Sequence, residues 1–139
     1  MDKNYRLTRH QSELAVRIAG SSQADLFANS AFALFDVMTD PSNIEIKERM
    51  ALEVEGTDRD DLMVNWISEL LYLYQGSGYL LKEFKINQVK DTIVKAEVGG
   101  EKIDPDRHEI KQEIAAVAFH KSRMQKTGNQ WIAQVIFEL

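Results

Sequence analysis

The chain has 139 residues, of which 44% are hydrophobic and 28% charged, and a formal net charge of −5. That size and apolar content suit one compact domain burying roughly two-thirds of its unfolded surface, with no linker-like or low-complexity stretch. The absence of cysteine excludes disulfides, thiolate metal sites and cysteine nucleophiles, and the negative charge opposes strong direct binding to nucleic acid, so that any RNA contact has to be local or indirect.

The first strand expected along the chain is Tyr5 to Arg9. Leu14, Val16 and Ile18 then alternate with Ala15, Arg17 and Ala19 up to Gly20, as in a half-buried strand, so the polar stretch His10-Gln11-Ser12-Glu13-Leu14 joins or interrupts two strands. Ser22, with Asp25 three residues on, predicts an N-cap with an acidic group beside the exposed N–H donors. The helix it opens, QADLFANSAFALFDVM, carries Phe27, Ala31, Leu34 and Met38 on one stripe with Phe35 beside it. Thr39-Asp40-Pro41 ends that helix, because proline disfavours helical geometry at the residue before it. Met50, Leu52 and Val54 alternate as a strand, and Thr57 with Asp60 predicts the start of a second helix bearing Leu62, Met63, Trp66, Ile67, Leu70, Leu71 and Tyr74. Gly76 is the expected left-handed terminator.

From Tyr79 onward the pattern is strand after strand: YLLKEFKINQV, TIVKAEVGG, EIKQEIAAVAFH, KSRMQKT and QWIAQVIFEL. Turn signals fall at Asp91, Gly99-Gly100, Asp104-Pro105 and Thr127-Gly128-Asn129. Short turns between successive strands imply hairpins. The expected fold is therefore α+β, two helices packed on a largely antiparallel β-sheet, in a single domain over residues 1–139. No internal repeat is evident by eye. No window reaches the roughly 18 apolar residues of a membrane span, and MDKNYRLTR has no apolar core, so the expected location is cytoplasmic, away from a membrane.

Several residue groups invite a chemical reading. His10, His108 and His120 can in principle share a zinc ion, but they lack short helical spacings such as His-x-x-x-His, and separate solvated loop histidines are the commoner arrangement. The serine of GSGYL, Ser77, follows a helix and lacks Gly-x-Ser-x-Gly spacing, so it reads as a helix-ending turn. Gly20-Ser21-Ser22 can present N–H groups to a phosphate, yet it lacks a P-loop lysine and reads as N-capping. Lys121, Arg123 and Lys126 suit a basic edge strand that blocks aggregation, or a contact with an acidic partner or RNA. Asp58, Arg59, Asp60 and Asp61 look like a charged first helical turn rather than a cation cup. Glu13 and Glu138, with the carboxylate of Leu139 after the second, converge only if the last strand lies next to the first. Hard oxygen ligands of that kind suit calcium or magnesium.

The segments AFALFDVMTDPSNIE, LMVNWISELLYLYQGSG, GGEKIDPDRHEIKQEIAAVAFH and QWIAQVIFEL, in this order and at this spacing, resemble the archease family over nearly the whole chain. The most specific pieces are Asn65-Trp66-Ile67-Ser68-Glu69-Leu70-Leu71-Tyr72, Asp104-Pro105-Asp106-Arg107-His108 and the closing Trp131 to Leu139. The family's N-terminal signature reads His-Thr-Ala-Asp, which places His10 on its histidine and Glu13 on its aspartate. The resemblance implies an accessory protein, not an enzyme. Its partner would be the GTP-dependent RNA ligase that joins 2′,3′-cyclic-phosphate or 3′-phosphate ends to 5′-hydroxyl ends in tRNA splicing and RNA repair. It would promote guanylylation and multiple turnover of that ligase. It also implies a divalent cation, calcium or magnesium, held at positions that fall on Glu13, Glu138 and Leu139.

The chain departs from the family pattern at these positions. Both aspartates are glutamates, Gln11 and Ser12 replace threonine and alanine, and Ala115 and Ala118 stand where polar residues are common. A carboxylate one methylene longer moves its oxygens by roughly an ångström and adds a rotatable bond. Two other readings follow: a chaperone-like binding module for a different RNA-processing enzyme, with the metal site altered or lost, and a stand-alone metal-dependent hydrolase using Glu13 with His10 or His108. No nucleophile, triad or complete metal-ligand motif supports the second.

Overall fold

A computed structural model describes residues 4–139, with the side chains of residues 119–122 outside the described set. In chain order the elements are β1 (Tyr5–His10), β2 (Glu13–Gly20), α1 (Gln23–Met38), a short 3-10 turn (Pro41–Asn43), β3 (Glu48–Glu55), α2 (Arg59–Ser77), β4 (Tyr79–Lys90), β5 (Ile93–Lys102), β6 (Ala116–Thr127) and β7 (Gln130–Glu138). The strands make a four-stranded sheet, β1-β2-β7-β6, and a three-stranded one, β3-β5-β4. Neighbours are antiparallel throughout.

The expected α+β class and antiparallel pairing hold, but the strands divide between two sheets with the helices layered between them. α1 packs on β2 and β7 of one sheet and on β4 of the other, and α2 on β6 of the first and on β3, β4 and β5 of the second. A helix covered on opposite sides needs more than one apolar stripe. Accordingly Leu26, Ser30 and Ala33 are buried alongside the expected Phe27, Ala31, Leu34, Phe35 and Met38, and no residue of α1 is exposed. Trp66 of α2 is wholly buried and its indole N–H donates to the Phe27 carbonyl at 2.9 Å, tying the helices together.

The topology is one strand–helix–hairpin unit nested inside another. β3, α2 and the β4–β5 hairpin form the inner unit, in which β5 pairs with β3. β2, α1 and the β6–β7 hairpin form the outer unit, in which β7 pairs with β2. The two strand-to-helix turns repeat residue by residue, a correspondence not evident by eye in the sequence. A Cβ on Gly20 would lie 2.5 Å from the Leu26 nitrogen, and one on Gly56 2.5 Å from that of Leu62. The Asp25 carboxylate accepts from the Ser21 amide at 2.8 Å, and that of Asp61 from the Thr57 amide at 2.7 Å. Asn29 donates to the Ala19 carbonyl and Asn65 to that of Glu55. The shared pattern Gly-x-x-x-x-Asp-Leu-x-x-Asn is too sparse to notice in sequence but is dictated by one turn geometry used twice.

Four local expectations need correction. The second helix is capped by Asp58, whose carboxylate accepts from the Asp61 amide at 2.8 Å. Thr57 instead donates to Asp61, because the aspartate one residue on offers the better acceptor. Gly76 continues the helix, and Gly78 at φ 73° is the left-handed terminator, placed where the chain must turn directly into β4. Gly99 and Gly100 lie inside β5 and are not a turn. A Cβ on Gly100 would sit 2.0 Å from the Leu80 carbonyl oxygen, so glycine there permits close approach of β4. Finally, residues 109–115 are not strand. Lys111 donates to the Met38 carbonyl at 2.7 Å and the Thr39 hydroxyl to that of Glu109 at 2.6 Å, so this segment satisfies the end of α1, and the single long strand β6 replaces two expected ones.

Candidate functional site

His10-Gln11-Ser12-Glu13 is a tight hairpin: His10 pairs with Glu13, and Gln11 takes the turn at φ 53°. The condition set for convergence is met in β2 and β7, which are neighbours in register so that Glu13 stands directly opposite Glu138. Leu14 and Phe137, one step along, are buried in the core, so the two glutamates share the opposite, outer face of the sheet. Each is half-buried. The Leu139 amide donates to the Ser12 carbonyl at 2.8 Å, and the Ala115 amide to that of Glu138 at 2.7 Å, which holds the end of β7 against the hairpin turn.

Like charges directly opposite in a sheet repel, and the repeat supplies an internal comparison. In the inner unit the positions equivalent to Glu13 and Glu138 are Arg49 and Gly99, themselves opposed in register. The residues that build the turn are thus duplicated while the acidic pair is not. Architecture therefore does not require it. The donor chemistry, two carboxylate side chains opposed in register, fits a hard cation such as calcium or magnesium. Among the described residues no group of three or more His, Asp or Glu side chains comes together as a ready-made metal site. At the tip Glu13 and Glu138 supply the two carboxylate side chains, with His10 opposite Glu13 on the hairpin and Leu139 beside the turn.

The three histidines do not form one site. His10 is exposed at the hairpin, His120 lies outside the described residues, and His108 is buried, which corrects its reading as a solvated loop residue. The Asp104 amide donates to His108 Nδ1 at 2.8 Å, so the ring proton resides on Nε2, which faces the Asn43 carbonyl at 2.9 Å and Glu101 Oε2 at 3.2 Å. Glu101 is only 3% exposed. Its carboxylate takes a hydrogen bond from Arg107, another from the Glu45 amide at 2.5 Å, and lies 3.5 Å from Lys47 Nζ. Burial alone would raise its pKa, but the Arg107 and Glu45 hydrogen bonds and the Arg107 charge outweigh that effect and hold it at about 2. This network fastens the segment after α1 to the end of β5. It was invisible to sequence reasoning, for which the only signal was a family-like Asp-Pro-Asp-Arg-His run.

The remaining candidates have local roles. Ser22 Oγ accepts from the Asp25 amide at 3.0 Å, the expected cap. Asp58 caps α2, Arg59 pairs with Asp91 at 2.7 Å, and Asp60 accepts from the Met124 amide at 2.8 Å, consistent with a charged first turn rather than a cation cup. Ser77 ends α2. Arg123 and Lys126 are exposed on the edge strand β6, and Lys121 lies outside the described residues.

Comparison with known proteins places this geometry in context. The sequence profile of the "Archease protein family (MTH1598/TM1083)" matches residues 5–139. The chain is 34% identical over 131 residues to the protein archease of Pyrococcus furiosus, covering 91% of this chain and 92% of that one. It is 33% identical over 138 residues to that of Pyrococcus abyssi, with 96% and 97% covered. The solution structure of Methanobacterium thermoautotrophicum protein 1598 superposes with a TM-score of 0.82 at 27% identity, covering 99% and 100% of the two chains. The crystal structure from Thermotoga maritima described as "an archease, possible chaperone" has the same fold, with a TM-score of 0.63 at 15% identity and 95% and 94% covered.

Proposed function

This chain belongs to the archease family, and we propose that it works as a non-catalytic accessory protein that activates an RNA ligase of the type joining 3′-phosphate to 5′-hydroxyl ends. The observation that carries the reading is the direct opposition of Glu13 and Glu138 on the outer face, beside a turn pinned by Leu139. A self-repelling pair that the inner unit does without is a feature that folding alone does not explain. In this reading the hairpin tip enters the ligase cleft and its carboxylates serve the nucleotide-transfer step, where positioning and charge stabilisation dominate phosphoryl transfer.

Glu13, Glu138 and Leu139 are the residues that would hold a divalent cation, calcium or magnesium. Bound there, the ion would supply positive charge toward phosphate oxygens. The chain's own contribution is rigidity. β2 and β7 fix both glutamates in register, and the Leu139 and Ala115 amide bonds keep the tip from fraying. A second reading, a binding module for another RNA-processing enzyme, draws on the glutamates that replace the family's aspartates.

Guanylylation and multiple-turnover sealing by the cognate ligase, with and without this protein, test the proposal. Stimulation by the native chain that is lost in Glu13→Ala and Glu138→Ala, with both variants folded, is the expected result. Full activation by both variants overturns the acidic-tip mechanism. No stimulation of a competent ligase by the native chain overturns the ligase reading in favour of the second.

A further inference from the structure

The outer face of the four-stranded sheet carries a second feature unconnected with the acidic tip. Arg6 pairs with Arg17, Arg17 with Gln134, and Gln134 with Arg123, so three arginines and one glutamine form a straight row across β1, β2, β7 and β6. All four residues are exposed. With neighbouring strands about 4.8 Å apart, the row spans roughly 14 Å, and it lies four residues, about 13 Å, along the sheet from Glu13 and Glu138.

The charge arrangement is unusual for this molecule. Of seven arginines, Arg49, Arg59 and Arg107 are in ion pairs with Glu83, Asp91 and Glu101. Arg6, Arg9, Arg17 and Arg123 all stand on the four-stranded sheet and have no carboxylate partner among the described residues. Arg6 and Arg17 are directly opposed like charges, which costs stability. The nested repeat again provides a control. The positions equivalent to Arg17 and Gln134 in the inner unit are Glu53 and Lys95, opposed in register and paired at 3.3 Å. One copy of the unit neutralises this row and the other concentrates positive charge in it, within a chain of net charge −5.

We propose that the Arg6–Arg17–Arg123 row docks the sugar–phosphate backbone of an RNA duplex. Guanidinium forks match phosphate oxygens, and a line of them is a backbone-binding device. An acidic protein partner fits less well, because the described residues of this face offer no anchor for a protein interface. They include no Phe, Tyr or Trp, and the row between the arginines and the glutamates is Thr8, Ala15, Ile136 and Ala118, of which Ile136 and Ala118 are already buried. The lack of Phe, Tyr and Trp among the described residues of this face also favours a duplex over a single strand, whose bases need stacking platforms. The choice of RNA over DNA rests on the ligase-accessory reading. The contact is weak and independent of sequence, in keeping with the expectation that RNA binding here is local.

The test uses the full chain without any ligase, so its failure is separate from failure of the proposed function. Fluorescence anisotropy of a labelled 20-base-pair RNA duplex, titrated at several low salt concentrations, is expected to give a Kd on the order of 10⁻⁴ M and a log–log salt slope of about −3. Arg17→Gln is expected to reduce the slope by about 1, and the triple change Arg6→Gln, Arg17→Gln, Arg123→Gln to abolish binding. Arg49→Gln, on the other sheet with the same change in net charge, is expected to leave the slope unaltered. No salt-dependent binding, or binding that survives the triple change in a folded protein, overturns the proposal. Equal and equally variant-sensitive binding of polyglutamate would assign the row to an acidic protein, and of a DNA duplex to phosphodiesters at large. Either result overturns the assignment to RNA.

Discussion

Gly20 and Gly56 occupy the same place in two copies of one turn: each brings a strand end within 2.5 Å, measured from where a Cβ would be, of the backbone nitrogen of the leucine six residues on. The obstructing atoms are backbone in the first turn of a helix, so they cannot rotate aside as a side-chain tip can. Gly20→Ala and Gly56→Ala are each expected to cost about 2–3 kcal/mol, the upper part of the overpacking range. That corresponds to a fall in Tm of roughly 6–10 °C for a domain of this size. Gly76→Ala, where nothing lies within 4 Å of the added carbon, is the comparison and is expected to stabilise slightly. Thermal unfolding of the three variants checks this, and similar values for Gly20→Ala and Gly76→Ala would refute it.

What could be read from the sequence follows from the range of each interaction. The Ser22 cap and the alternation of Leu14, Val16 and Ile18 are local and were legible. The stripe of α1 was legible as a core face, but its burial on opposite sides was not. That burial depends on β4 arriving from one direction and β2 with β7 from the other. Gly99-Gly100 looked like a turn because the need for glycine comes from β4, a different segment. The opposition of Glu13 and Glu138 could be posed only as a condition, since strand register between the chain's two ends is set by the whole fold. The Glu101–His108 network, and the arginine row across four strands, likewise exist only once distant segments are side by side.

Glu101 gives a pH-dependent prediction. Its folded-state pKa of about 2 lies below the ordinary 4.5, so it contributes stability that is fully present above about pH 4.5 and fades as pH falls toward 2. Glu101→Gln keeps the shape but removes the charge that Arg107 and Lys47 face. The variant is expected to be well below the native protein in urea midpoint at pH 7, and the gap is expected to narrow between pH 4.5 and 2.5. A gap that stays constant through that window would show that the carboxylate charge is not what the network uses.

Trp66 tests the link between the helices. Its ring is fully buried, 6.3 Å from the Phe27 ring at a 55° tilt, and its N–H is satisfied by the Phe27 carbonyl. Trp66→Phe removes that hydrogen bond and leaves a small void, for an expected loss of about 2–3 kcal/mol. Trp66→Ala is expected to cost about 3–5 kcal/mol. Chemical denaturation with unchanged m-values measures both, and a loss under 1 kcal/mol in the alanine variant would mean the helix layer does not depend on this contact.

The acidic pair makes the sharpest demand on the geometry. Side chains directly opposed across β2 and β7 must couple energetically, whereas outward-splayed ones would act independently. In chelator and at low ionic strength, Glu13→Gln and Glu138→Gln are each expected to raise stability by a few tenths of a kcal/mol. Each removes the same repulsion, so the double variant should add little to either single one, and a coupling of about 0.5 kcal/mol should shrink as salt screens the charges. Millimolar calcium or magnesium should invert the order: an ion bound by the folded state alone raises the native Tm by mass action and leaves the variants unmoved. Additive single effects in chelator would show that the carboxylates do not face each other. Coupling without any cation-induced rise in Tm would keep the geometry and discard the metal, leaving a bare acidic tip as what meets the partner.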